Sequence, residues 1–224
     1  MKNKGFWIGI AFLSLVSIAA LAAASSSQET HAARPIFHGE TQTYYYSGEV
    51  LKHTGEVLVN VYYLDRLGPE NRLKAIQAYR EANLRRSYAL LAWKEPKVIY
   101  VQVSFARPVP IDEVRSLVEK TSFRVEDFLM VSQPKEQKRW CIEATGDLAK
   151  PFCATEGFEG IMVLRGWVET TGKGLGQWLR DEQVYMVDTI AAELEEILHQ
   201  KHADIVAGRK IYVSAEFPIW ELDW

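Results

Sequence analysis

Two stretches of the chain alternate apolar and polar residues with period two. In Val98–Phe105, Ile99, Val101, Val103 and Phe105 share one side, and Tyr100, Gln102 and Ser104 share the other. That is the pattern of a half-buried strand. Ile211–Phe217 echoes it, with Ile211, Val213, Ala215 and Phe217 opposed by Tyr212, Ser214 and Glu216. Proline follows each stretch within a few residues (Pro108 and Pro110; Pro218), and proline ends a strand. The two read as first and last strands of one sheet.

Further elements follow from the same patterning. Gly48-Glu49-Val50-Leu51 recurs as Gly55-Glu56-Val57-Leu58, seven residues on, which predicts a hairpin around Lys52-His53-Thr54. Gly68-Pro69-Glu70 announces a helix: a proline near the first turn and an acid at the positive dipole end. Leu73, Ile76, Tyr79, Leu84, Tyr88 and Leu91 carry it to about Trp93, and Arg72, Lys74, Arg80, Arg85 and Arg86 make it the most basic element. Ile111–Lys120 repeats apolar residues at helical spacing. Phe123–Val131 and Ile161–Val168 read as strands, Gln133–Gly160 as a long irregular segment, and Asp181–His202 as one helix.

From residue 97 to residue 224 the order is strand-helix-strand-strand-helix-strand. The fold class is therefore α+β, a ferredoxin-like split βαβ arrangement with an antiparallel sheet. Residues 44–93 form a strand-and-helix extension, and 44–224 together one extracytoplasmic domain. Tyr100, Gln102, Tyr212, Ser214, Arg165 and Trp167 belong to the sheet face opposite the two helices, which the extension is expected to cover because large aromatics seldom stay open.

The first residues place the protein. Lys2 and Lys4 precede Gly5–Ala24, 20 residues without a charge, and Ala22-Ala23-Ala24 is a small-residue cleavage pattern. Residues 1–24 are thus a signal peptide or an uncleaved transmembrane anchor, with the basic end inside. Residues 25–43, serine-rich and then Ala33-Arg34-Pro35, read as a linker. The chain is expected to be extracytoplasmic, either held by a single pass through residues 5–24 or secreted. Its formal net charge of −3 offers no global attraction to nucleic acid.

Export changes the meaning of the two cysteines, Cys141 and Cys153. An even count, closely spaced, predicts a disulfide worth about 3 kcal/mol in the chain-entropy model. There is no Cys-x-x-Cys to suggest redox chemistry.

Candidate chemistry is sparse. Glu196, His199 and His202 lie three residues apart, so one helix face brings them near a common cation, although such sites draw further ligands from other helices. Thr171-Gly172-Lys173-Gly174 lacks the spacing of a phosphate loop, no Gly-x-Ser-x-Gly is present, and no motif asks for a cofactor. The chain has seven tryptophans and ten tyrosines. Tyr100, Trp140, Trp167 and Tyr212 form the expected recognition surface, because aromatic rings bind with little loss of side-chain entropy. The reading is a non-enzymatic binding or regulatory domain of the cell envelope, tethered to the membrane, with an envelope protein or a glycan as partner. The alternative is an extracytoplasmic hydrolase or metal-dependent enzyme that uses Glu196, His199 and His202.

Overall fold

The computed structural model describes residues 36–41, 44–63, 69–132 and 139–214. The leader or anchor expected at 1–24 lies outside these residues. Among the described residues no helix is long and apolar enough to cross a membrane. They form a mixed α+β structure with two sheets and six helices.

The first sheet has the strand order β1 (Ile36–Glu40), β2 (Tyr44–Val50), β3 (Val57–Tyr63) and β9 (Ile211–Ser214). The repeated Gly-Glu-Val-Leu motif closes the β2–β3 hairpin, with Val50 opposite Val57. Gly55, at φ +71°, makes the turn and donates its N–H to the Leu51 carbonyl. Strand β1 begins inside the segment read as linker. It pairs with β2 so that Gly39 and Gly48 leave room for the rings of Tyr46 and Phe37.

The second sheet is antiparallel throughout, in the order β6 (Arg139–Glu143), β5 (Arg124–Ser132), β7 (Gly160–Glu169), β4 (Val98–Pro110) and β8 (Val184–Asp188). Helix α1 (Pro69–Leu91) precedes β4. Helix α2 (Ile111–Thr121) connects β4 to β5; Asp112 and Glu113 lie in its first turn and a left-handed Ser122 ends it. The short α3 (Phe152–Thr155) follows β6, and α4 (Leu175–Arg180) leads from β7 into β8. Helices α5 (Ile190–Lys201) and α6 (Ala203–Val206) come after β8.

Two expectations are corrected. The segment 181–202 is not one helix. Asp181 accepts the Gln183 N–H at 3.0 Å, which forms a turn, and Val184–Asp188 is a strand beside β4. Asp188 then accepts the Ile190 N–H at 2.9 Å and starts α5. Polar side chains at those positions offer the backbone an alternative to the helical ladder. The second correction follows from the first. With β8 occupying the place beside β4, Ile211–Ser214 does not join that sheet; it pairs in parallel with β3.

The alternation of β4 separates two cores. Val101, Val103 and Phe105 pack beneath α2 and α4 with Phe123, Phe128, Leu164 and Trp178. Trp178 is fully buried, its ring edge-on to Phe105 and Phe123 at 6.4 and 5.2 Å. On the other side, Val131, Met162, Val163 and Met186 are covered by Tyr46, Val57 and Val59 of the first sheet, Ile76 and Tyr79 of α1, and Leu194 and Leu198 of α5. The extension covers the apolar end of this second face, and Tyr79 of α1 reaches on to Asp188.

Candidate functional site

The other end of that face is polar and aromatic, and strand register explains why. Trp167 of β7 lies opposite Tyr100 of β4 and Arg124 of β5, forming one cross-strand row. The Tyr100 and Trp167 rings meet edge-on at 5.1 Å, and the Arg124 guanidinium sits 5.2 Å from the Trp167 centroid. The next row holds Asp127, Arg165, Gln102 and Asp188. Arg165 Nε and Asp127 Oδ1 lie 2.9 Å apart. Gly166, between the rows, lets β5 approach: a Cβ there would stand 2.1 Å from the Arg124 carbonyl.

This face forms one wall of a cleft. The other wall is β9, and Ile190, Ala191, Ala192 and Glu195 of α5 complete the lining. Two adjoining hollows of about 220 and 190 Å³ share Tyr100, Ala191, Tyr212 and Val213. Together they reach the lower part of the range of about 300–1,000 Å³ typical of small-ligand sites. Tyr212 is held at the rim. Its hydroxyl donates to Glu56 Oε1 at 3.1 Å, and the Lys210 ammonium lies 4.4 Å from its ring centroid.

Several polar and charged groups of the cleft are already engaged. Burial pushes the Tyr100 phenol well above the ordinary tyrosine range, and the Glu126 and Asp127 carboxylates and a hydrogen bond to Glu126 add to the effect. Burial also raises the Asp127 carboxyl, against the Arg165 charge that lowers it. Asp188, 4% exposed, accepts the Tyr79 hydroxyl at 2.6 Å as well as the Ile190 N–H. Neutral phenol, paired carboxylates and flat ring faces suit recognition: they donate, accept and stack.

A buried polar network fixes α5 behind the cleft. Asn83 of α1 donates to the Val187 carbonyl at 2.7 Å. Its Oδ1 accepts the Thr189 N–H and hydroxyl, both at 3.1 Å, and Arg86 at 2.8 Å. Arg86 reaches Glu193 Oε2 at 2.6 Å, and that oxygen also accepts the Tyr44 hydroxyl at 2.9 Å. Burial first and the neighbouring Glu193 second raise the Tyr44 phenol far above its usual value.

Of the four aromatics singled out from sequence, Tyr100, Trp167 and Tyr212 meet at this cleft and Trp140 does not. Trp140 is opposite Val131 in the β5–β6 pair and packs against the second core. The disulfide beside it, Cys141–Cys153, has an S–S distance of 2.06 Å and a Cα separation of 5.8 Å. It staples β6 to α3. Glu143, 5% exposed, accepts the Cys153 N–H at 3.3 Å and the Thr145 hydroxyl at 2.9 Å.

Glu196, His199 and His202 are not gathered. Helix α5 stops at Lys201 and His202 turns out of helical geometry (φ −134°, ψ 34°), which takes it off their common face. Its ring packs on Phe37 with centroids 4.8 Å apart. Among the described residues no group of three or more His, Cys, Asp or Glu side chains is placed to hold a metal ion.

Sequence reasoning missed Asp188, Ile190, Ala191, Glu195 and Lys210 as lining residues. Asp188-Thr189 was the available signal, a pair typical of helix starts lying within a periodic apolar run. No protein-family model, no curated protein and no solved structure matches the chain.

Proposed function

We propose that this protein is an exported, membrane-tethered, non-enzymatic binding domain of the cell envelope, and that the cleft between β9 and the open sheet face is its ligand site. The observation that carries this reading is the meeting of Tyr100, Trp167 and Tyr212, brought from two different sheets, around one cleft. Aromatic rings framed by paired polar groups are what hot spots of recognition are made of. The tether is residues 5–24, on the strength of their charge-free run behind two lysines. The core is ferredoxin-like: β8, β4, β7 and β5 are neighbours in that order, with α2 and α4 as crossovers, and β6 adds an edge strand.

Site-directed photo-crosslinking in intact cells tests the function. A photoreactive phenylalanine replaces Tyr212 at the cleft or, as control, Tyr45, whose ring stacks on Tyr62 on the first sheet at 4.7 Å. The expected result is one reproducible adduct at 212, absent at 45 and lost when Trp167→Ala is added. Equal adducts at both positions, or none at 212, would overturn the reading.

A further inference from the structure

The cleft is bordered by the edge of a strand. Among the described residues β9 pairs only with β3. Lys210, just before it, and then Ile211, Tyr212 and Val213 line one hollow without a gap, and Ser214 lines the next. Side chains alone would give every second residue. An unbroken run means that the backbone edge itself faces the space.

The ladder shows which groups stand there. Val57 N–H donates to the Lys210 carbonyl at 2.9 Å, and Val57 is in parallel register with Ile211. The slanted parallel pattern then gives the N–H and C=O of Tyr212 to β3. The N–H and C=O of Ile211 and of Val213 point the other way, into the cleft. Opposite them stand Tyr100 and Trp167. Ala191 and Ala192 of α5 project only methyl groups into the same space.

We infer that the cleft takes an extended peptide, which adds as a strand to the free edge of β9. The inference rests on the binding reading above and names its ligand class. Amides and carbonyls that recur at every second residue and pair with no other described strand are a template for another chain, whereas a saccharide has no matching repeat. The two hollows between β9 and the Tyr100–Trp167 face, about 220 and 190 Å³, are of small-ligand size, which suits a short extended segment rather than a second folded copy. Glu126 and Glu195 outnumber Lys210 at one end, so a lysine or arginine of the peptide is expected there.

The test begins with selection of phage-displayed random dodecapeptides against the purified full chain with its disulfide intact, followed by fluorescence-polarisation titration of the enriched peptides. Val213→Pro removes an amide that faces the cleft and spares the bonds to β3, a setting in which an edge strand tolerates proline. Expected are enriched peptides with a basic residue that bind about tenfold more weakly to Val213→Pro and to Trp167→Ala. N-methylation at alternate peptide amides should weaken binding to wild type to a similar extent, which keeps the test valid if Val213→Pro folds poorly. Several results would overturn strand addition. One is the absence of enriched peptides. Another is binders indifferent to Trp167→Ala, which lie elsewhere. Binders lost in Trp167→Ala but indifferent to Val213→Pro and to N-methylation would leave the cleft as a site and sink the strand. A dimer seen by light scattering and abolished by Val213→Pro would assign the edge to a second copy instead. The in-cell adduct at position 212 judges the binding reading independently of these peptides.

Discussion

Replacing Asn83 with alanine should be among the most damaging single changes outside the apolar cores. Asn83 is completely buried; three of its side-chain hydrogen bonds join α1 to the β8–α5 junction, and it accepts a fourth from Arg86 on its own helix. Alanine leaves the Thr189 N–H without a partner and takes a donor from the Val187 carbonyl. Arg86 keeps Glu193, and the Thr189 hydroxyl keeps a contact with Ser87 at 3.4 Å. A buried group stripped of its partner costs about 1–3 kcal/mol, so the two stranded backbone groups and the vacated space together cost about 3–4 kcal/mol. That is a large part of the roughly 5–15 kcal/mol that holds a domain folded. With an m-value of roughly 2 kcal/mol per molar urea, the midpoint should fall by about 1.5–2 M. Arg85→Ala is the control. Arg85 stands on the same helix, but its pair with Glu81 is 4.0 Å long and both side chains are more than two-thirds exposed, so the change should stay within about 0.5 kcal/mol. If equilibrium unfolding gave both variants the same small shift, the network would not be the clamp described.

Three other predictions concern different parts of the molecule. Reduction, or the double change of Cys141 and Cys153 to serine, should cost about 3 kcal/mol and lower the melting temperature by about 6–12 °C, read by calorimetry with and without reductant; no change would mean that the β6–α3 staple bears no load. Gly166→Ala should destabilise by about 2–3 kcal/mol, because the new methyl meets the Arg124 carbonyl, and the loss of β5–β7 pairing should appear as faster amide exchange in both strands. Stability should fall as pH rises above about 10: the unfolded chain releases the Tyr44 and Tyr100 protons there, while the folded protein, whose phenols titrate higher, still holds them. Tyr44→Phe and Tyr100→Phe should each flatten that alkaline slope in pH-dependent urea unfolding, and an unchanged slope would refute the burial argument.

What the sequence made legible is what is encoded locally. The β4 alternation could be read because its residue types change with period two: Ile99, Val101, Val103 and Phe105 are all buried, as read, but Gln102 and Ser104 on the other face are buried as well, which polarity alone did not announce. The repeated hairpin motif and the start of α1 carry their own turn and capping chemistry. The cysteine pair was legible from count and spacing. Val184-Tyr185-Met186-Val187 was not, because a short apolar run satisfies helical and strand periods alike, and only the carboxylates at either end, Asp181 and Asp188, break it out as a strand. The partner of β9 was unreadable for a different reason. Parallel pairing with β3 joins segments some 150 residues apart, Val57 to Ile211, and nothing local to either names the other.

That one misplacement also hid the site. Had Ile211–Ser214 closed the second sheet beside β4, Tyr212 would have been a neighbour of Tyr100 within a single surface, and the aromatics would have formed a flat platform. Because β8 takes that place, β9 is carried across to the first sheet and its outer edge is turned back toward Tyr100 and Trp167. The same residues then make two walls instead of one plane. Trp140 drops out by the same geometry: alternation in β6 sends Cys141 toward the first core and Trp140 toward the second, so the disulfide fixes a strand whose residues do not line the cleft. Residue type singled out Tyr100, Trp167 and Tyr212, but only the exchange of β8 for β9 beside β4 sets them around a groove bordered by a strand edge that no other described strand pairs. A chain that keeps every aromatic and loses that exchange should therefore lose its ligand.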